Sequence, residues 1–135
     1  MNTKNSFSQT ISALFIFGTV LSGNAFAHAH LKSSEPSKDS VISVMPATVT
    51  LHFSEALEAS MSKVEVKDLT DGKIISEGKL SHLNDDKSTL QIALKSPTLI
   101  THKCRIEVSW KAVAKDSHKM PGKIEFTFDP APVKN

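Results

Sequence analysis

Cysteine and tyrosine are scarce in this 135-residue chain, which contains one cysteine, Cys104, and no tyrosine. A single cysteine excludes an internal disulfide. The chain also lacks a large excess of either charge, because it has 16 Lys and Arg and 14 Asp and Glu. A formal net charge of +2 gives no strong basic field of the kind that attracts nucleic acid. We therefore expect no nucleic-acid partner.

A long hydrophobic run is missing as well. The apolar stretch at residues 11–21 is shorter than the roughly 20 residues that a membrane-spanning helix needs. Lys4 precedes this stretch, and Ala25 and Ala27 follow at the small-residue positions of a cleavage site. The pattern predicts a signal peptide over residues 1–27, a secreted domain over 28–135 and no membrane insertion of the mature chain. Cleavage before His30 and an uncleaved anchor are the alternatives.

Apolar and polar residues alternate with a period of two in several segments. Val49, Leu51 and Phe53 show the pattern, and a longer run begins at Cys104. Strict alternation is typical of antiparallel strands with one packed and one solvated face. Turn-forming pairs separate the segments, and Asp71-Gly72 predicts a hairpin. About seven short strands in a domain of this length predict an all-β fold, an immunoglobulin-like Greek-key β-sandwich. Pro121-Gly122 is expected to form a turn.

The predicted cleavage after Ala27 would make His28 the first residue. Its α-amine and its imidazole would then form a chelate for one metal ion. Asp116 and His118 provide a second candidate half-site, since residues two apart in an extended segment point the same way. A solvated polar loop is the alternative for this pair. Together the groups are an amine, two imidazoles and a carboxylate, a set that suits tetragonal Cu(II) and that Zn(II) can also use.

Three stretches carry a family resemblance: HAHLKSSEP at residues 28–36, LHFSE at 51–55, and the segment from VSWKAV at 108–113 through DSH to Phe126. On these stretches the chain resembles the CopC family of periplasmic copper-resistance proteins. The resemblance implies a periplasmic β-sandwich that binds one Cu(II) ion and has no enzymatic activity. It implies copper sequestration or delivery, with a separate inner-membrane copper transporter as a further partner.

The resemblance also implies roles for individual residues. His28 would bind copper through its amine and imidazole, and His118 would supply a second imidazole. Asp116 would be an axial or outer carboxylate, and Glu55 matches an acidic residue near the site in some members. An alternative uses His30 and backbone nitrogens of the amino terminus instead of His118.

Two departures from the family pattern lead to further expectations. Some members bind Cu(I) in a methionine-rich loop, but in this chain the corresponding residues 61–90 contain one methionine, Met61. Since thioethers are the ligands that select Cu(I), we expect no separate Cu(I) site. Relatives usually have an aromatic residue at the position of Cys104. The position of Cys104 in the alternating pattern, its parity, lies on the apolar face and predicts a small core residue. A surface thiol that captures copper is the alternative.

Two other classes of protein fit the same features. A histidine-brace copper oxygenase would also use an amino-terminal histidine and a second histidine. A metal-free secreted immunoglobulin-like interaction module would need neither.

Overall fold

Nine β-strands and one short 3-10 helix make up residues 30–130, the part of the chain that the computed structural model describes. The predicted signal peptide, His28 and the last five residues lie outside this range. The elements are β1 (Leu31–Glu35), β2 (Val41–Ile42), β3 (Thr48–Phe53), β4 (Lys63–Asp68), β5 (Ile74–Glu77), β6 (Ser81–Leu83), β7 (Asp86–Ala93), the 3-10 helix (Pro97–Leu99), β8 (Cys104–Val113) and β9 (Lys119–Phe128).

The strands form two sheets. One sheet has the order β1-β3-β7-β6 and the other the order β2-β9-β8-β4-β5. Neighbouring strands are antiparallel except for β2, which pairs parallel to β9. The predicted all-β sandwich is confirmed, as is the hairpin at Asp71-Gly72, which joins β4 to β5. The structure has nine strands instead of the expected seven. The two additional ones are short: β2 has two residues and β6 has three.

The core lies between the sheets and follows the alternation in the sequence. In β8, Cys104, Ile106 and Val108 are buried, whereas Arg105 is exposed and Glu107 is half-buried. Both charged residues of this outer face pair with β9: Arg105 with Glu125, and Glu107 with Lys123. Each large apolar side chain that is fully buried contributes roughly 1.5–3 kcal/mol. The inward face of β8 therefore drives the packing, and its outward face keeps the sheet solvated.

The expected turn at Pro121-Gly122 is wrong, because both residues lie inside β9 and face Lys111 and Trp110 of β8. A side chain on Gly122 would overlap the indole of Trp110, so the missing Cβ makes room for the ring. Proline is accepted here because β2 pairs only with the far end of β9, which leaves the outer edge open at Pro121. The glycine serves close packing between strands instead of chain reversal.

Within residues 30–130, no helix has the length and apolar character required to cross a lipid bilayer.

The contact between Gly122 and Trp110 gives a stability prediction. Gly122→Ala should lower the free energy of unfolding by about 1–3 kcal/mol, because the added methyl group must displace a half-buried indole. Urea denaturation followed by the emission of Trp110, the only tryptophan, measures the change. In a Trp110→Leu background the same substitution should cost far less. Equal costs in the two backgrounds, measured by circular dichroism, would contradict this account.

Candidate metal centre

A tight turn closes the hairpin between β8 and β9. The Ala114 amide donates to the His118 carbonyl at 3.0 Å, and the Ser117 amide donates to the Ala114 carbonyl at 2.9 Å. Ser117 adopts the left-handed region with φ of 70°. This residue reverses the chain between Asp116 and His118, so both side chains project from the exposed end of the hairpin.

Asp116 and His118 contact each other directly. Asp116 Oδ2 lies 2.9 Å from His118 Nδ1, and Asp116 Oδ1 accepts the His118 backbone amide at 3.2 Å. The pair was expected to meet because an extended segment points both side chains one way. That reason is wrong: the segment is a turn, and the aspartate meets the ring by bonding to the backbone two residues ahead.

The charge state of Asp116 determines which ring nitrogen faces a metal. Hydrogen bonds from the His118 side chain and then from its backbone amide lower the pKa of the Asp116 carboxyl below its ordinary 3.8. An ionised carboxylate only accepts hydrogen bonds, so Nδ1 of His118 must donate to it. A metal would therefore bind His118 through Nε2, with Asp116 holding the ring's tautomer and orientation.

The start of β1 is anchored beside Glu55. The His30 amide donates to Ser54 Oγ at 3.0 Å, and the Ser54 amide donates to the His30 carbonyl at 3.0 Å. These two bonds extend the pairing of β1 with β3 to the first described residue. The chain therefore enters the sandwich next to Ser54 and Glu55, and His28 is two residues upstream of that point.

The segment after Ser54 links this entry point to the β8–β9 turn. Leu57 forms a β-bridge with Ala114, and the Glu58 amide donates to the Val113 carbonyl at 2.8 Å. Ser62, which is buried, accepts the Val113 amide at 2.9 Å through Oγ. These contacts bring the chain entry and the Asp116–His118 turn to the same end of the sandwich.

Glu55 lies on that linking segment, half-buried and two residues before Leu57. In the described range, three metal-ligating atoms come within 4.8 Å of one another at one place, and that place does not include Glu55. Glu55 thus lies at the same end of the sandwich as Asp116 and His118, but its carboxylate does not form a three-ligand cluster with them. Its role as a ligand stays a prediction.

The place where three such atoms do meet is the opposite end of β8, at Asp68, His102 and Cys104. Cys104 is buried, as its parity predicted, so the alternative of a surface thiol is wrong. Sequence reasoning missed Asp68, although it shares the inward parity of Val64 and Val66 in β4. The sequence signal for Asp68 was a charged residue at an inward position of the alternation that contains buried valines. A charged group is buried only when it has partners.

These features define a class: a two-sheet β-sandwich with a histidine–carboxylate turn at the end where the described chain enters. The CopC domain family matches residues 31–129. The chain belongs to the CopC family.

Relatives and solved structures agree with this membership. Copper resistance protein C of Pseudomonas syringae pv. tomato is 33% identical over 84% of this chain and 90% of its own length. Copper transport protein CutJ of Bacillus subtilis is 29% identical over 87% of this chain, which spans only 21% of CutJ. The crystal structure of CopC from Methylosinus trichosporium OB3b superposes with a TM-score of 0.69 at 26% identity, covering 80% of this chain and all of that one.

PcoC from Escherichia coli, described as a methionine-rich copper resistance protein, superposes with a TM-score of 0.61 at 28% identity. The match covers 76% of this chain and 100% of that chain.

The contact between Asp116 and His118 predicts a shifted titration. In His118→Ala the midpoint of Asp116 should rise toward 3.8, because the largest cause of its lowered pKa is removed. Carboxyl carbon shifts followed by NMR against pH measure the midpoint. A lowered carboxyl pKa contributes stability that is lost as pH falls through the folded-state value, so the variant should lose less stability below pH 3.8.

His82→Ala serves as the matched control, because His82 bonds to the Thr89 carbonyl and not to Asp116. It should leave the Asp116 midpoint unchanged. An unchanged midpoint in His118→Ala would show that the contact is absent in solution.

Proposed function

We propose that the protein binds one Cu(II) ion through the α-amine and imidazole of His28 and the imidazole of His118. The proposal includes removal of the predicted signal peptide, since only then does His28 carry a free amine. The protein would act in the periplasm by sequestering or delivering copper, through coordination without catalytic turnover.

The observation that carries the proposal is the meeting of two distant segments. His30 is bonded to Ser54 on both its amide and its carbonyl, and Leu57 is bridged to Ala114 at the base of the turn that holds His118. The chain between positions 28 and 30 can span at most about 7 Å, which limits how far a ligand at position 28 can lie from the anchored His30. This proximity supports a shared site for two ligands that are far apart in sequence.

The anchoring of His30 also supports His28 over the alternative amino-terminal motif. That motif would wrap His30 and backbone nitrogens around the ion, which requires a detached terminus. The His30 amide is already engaged with Ser54 Oγ. Copper would have to break this bond to recruit His30 in that way.

The donor chemistry supports copper as the cargo. Amine and imidazole nitrogens with a nearby carboxylate, and no thiolate, suit tetragonal Cu(II), which also binds tightest among divalent first-row ions. The side chains of His118 and Asp116 are 59% and 65% exposed, so an ion reaches them without opening the fold. Relatives named for copper resistance and copper transport make copper the natural choice among the metals this set can hold.

Asp116 would act mainly by orienting the ring of His118, because its Oδ2 already accepts the Nδ1 hydrogen. Glu55 would provide an acidic group near the entry point of the chain. A separate inner-membrane copper transporter would be the partner that receives or supplies the ion.

A free amine on His28 should be essential for tight binding. Extending the mature protein by one methionine before His28 should weaken Cu(II) binding at least about tenfold, because the chelate of amine and imidazole is lost. Competition titration against a chelator of known affinity measures the change, and intact mass verifies which residue is first. Unchanged affinity in the extended protein would refute the proposed ligand set.

Substitution of the second histidine provides an independent arm of the same test. His118→Ala should weaken Cu(II) binding while circular dichroism and the unfolding midpoint stay close to wild type, since the residue is exposed. His82→Ala should leave the affinity unchanged. Equal weakening by both variants would show that copper binds histidines without a defined site.

Binding should also depend on pH with a defined sign. An α-amine ordinarily has a pKa of about 7.7–8.0, so copper must displace the amine proton below that pH. The apparent association constant should therefore fall at least about tenfold between pH 7 and pH 6. Isothermal titration at several pH values tests this, and a pH-independent affinity would exclude the amine as a ligand.

A further inference from the structure

Three potential metal ligands of different chemistry converge at the end of the sandwich opposite the proposed copper site. The carboxylate of Asp68, the ring of His102 and the thiol of Cys104 place one ligand atom each within 4.8 Å of the others. Asp68 ends β4, and Cys104 begins β8, two residues after His102. Ten strand residues at about 3.3 Å each put this cluster some 30 Å from the far end of β8.

Asp68 is the centre of the cluster. Its side chain is only 4% exposed, yet Oδ2 lies 3.1 Å from His102 Nε2 and Oδ1 accepts the Thr70 amide at 2.7 Å. Burial alone raises the pKa of this carboxyl, but the hydrogen bonds from Thr70, Cys104 and His102 outweigh it and leave the pKa lowered. The cluster therefore holds an ionised carboxylate in the interior, with a thiol and an imidazole directed at it.

The thiol of Cys104 is kept protonated by its surroundings. Burial first, and then the charge of Asp68 and the hydrogen bond to it, raise the pKa of Cys104 to about 12. The thiol proton thus occupies the space between sulfur and carboxylate. A cation placed between them would remove the cause of the shift and take over the role of that proton.

A route to solvent exists on the histidine side. The His102 side chain is 51% exposed, and a cavity of about 180 Å³ is lined by Asp68, His102, Asp71, Lys73 and Ser96 among others. An ion held by three protein ligands would keep its fourth position open to a water molecule in this cavity. Three protein ligands with one open position is a common arrangement for four-coordinate zinc.

The mixture of donors discriminates among metals. Zn(II) accepts thiolate, imidazole and carboxylate at about 2.0–2.3 Å in a tetrahedron, and ligand atoms that already lie within 4.8 Å need little movement to reach it. A carboxylate is a poor match for Cu(I), which selects soft sulfur ligands. Hard ions such as Mg(II) prefer an all-oxygen shell.

We propose that Asp68, His102 and Cys104 form a second metal site, which binds one Zn(II) ion. Binding releases one proton, that of the Cys104 thiol. The hydrogen on His102 Nε2 moves to Nδ1 as the neutral ring changes tautomer, so no further proton is lost. This site is independent of the proposed copper site, because it shares no residue with it.

Cobalt(II) provides the sharpest test, because it occupies zinc sites and reports a bound thiolate by a sulfur-to-cobalt charge-transfer band in the near ultraviolet. Cys104 is the only cysteine, so the band has one possible source and the proposed copper site cannot produce it. Titration of the reduced, purified protein should give the band at saturating Co(II), and Zn(II) should abolish it. Absence of the band at saturating Co(II) would overturn the proposal.

Two variants separate the site from nonspecific thiol chemistry. Cys104→Ser should eliminate the band, and His102→Ala should weaken Co(II) association at least about tenfold, since a direct ligand is removed. His102 is exposed, so its substitution keeps the test valid even where Cys104→Ser does not fold. His82→Ala is the matched control and should bind like wild type. Equal affinity of His102→Ala and wild type would overturn the three-ligand site.

The pH dependence supplies a further readout. One displaced thiol proton predicts that the apparent Co(II) association constant rises about tenfold per unit between pH 7.5 and 8.5. A flat profile in this range would contradict coordination through the Cys104 thiolate.

Discussion

The pairing of β8 with β9 is the constraint on which the rest of the structure depends. All ten residues of β8 pair with β9, from Cys104 opposite Phe128 to Val113 opposite Lys119. The inward face of this ribbon forms the middle of the core, and its length sets the distance between the two ends of the sandwich. Because the ribbon is continuous, each end can hold polar groups in a defined position without a break in the packing between them.

The two ends of the sandwich hold their polar groups in different environments, one exposed and one buried. At the β8–β9 turn, Asp116 and His118 are exposed, and water competes for every bond they make. At the other end, Asp68 and Cys104 are buried, and Asp68 is hydrogen-bonded to Thr70 and His102. An exposed pair of ligands favours an ion that exchanges with the solvent. A buried cluster favours an ion that stays bound, because buried polar groups that lose their partner cost free energy.

Period-two patterning was sufficient to predict most strands and the side each residue faces. Val49, Leu51 and Phe53 are all buried, and Cys104 lies on the inward face as its parity indicates. The turn at Pro121-Gly122 was predicted wrongly, because local turn preference carries no information about the indole of Trp110 across the ribbon. His102 contacts Asp68, a residue 34 positions earlier that only strand pairing brings near.

The sequence by itself determined the class of fold, the family and the residue types available for metal binding, because alternation and motif order are local properties of the chain. Tertiary structure alone decided which of those residues meet. The contacts of His30 with Ser54 and of Leu57 with Ala114 bring the chain entry to the Asp116–His118 turn. The pairing of β4 with β8 likewise brings Asp68 to Cys104. Such meetings depend on strand order and register, which arise from packing the whole apolar core at once and not from any one segment.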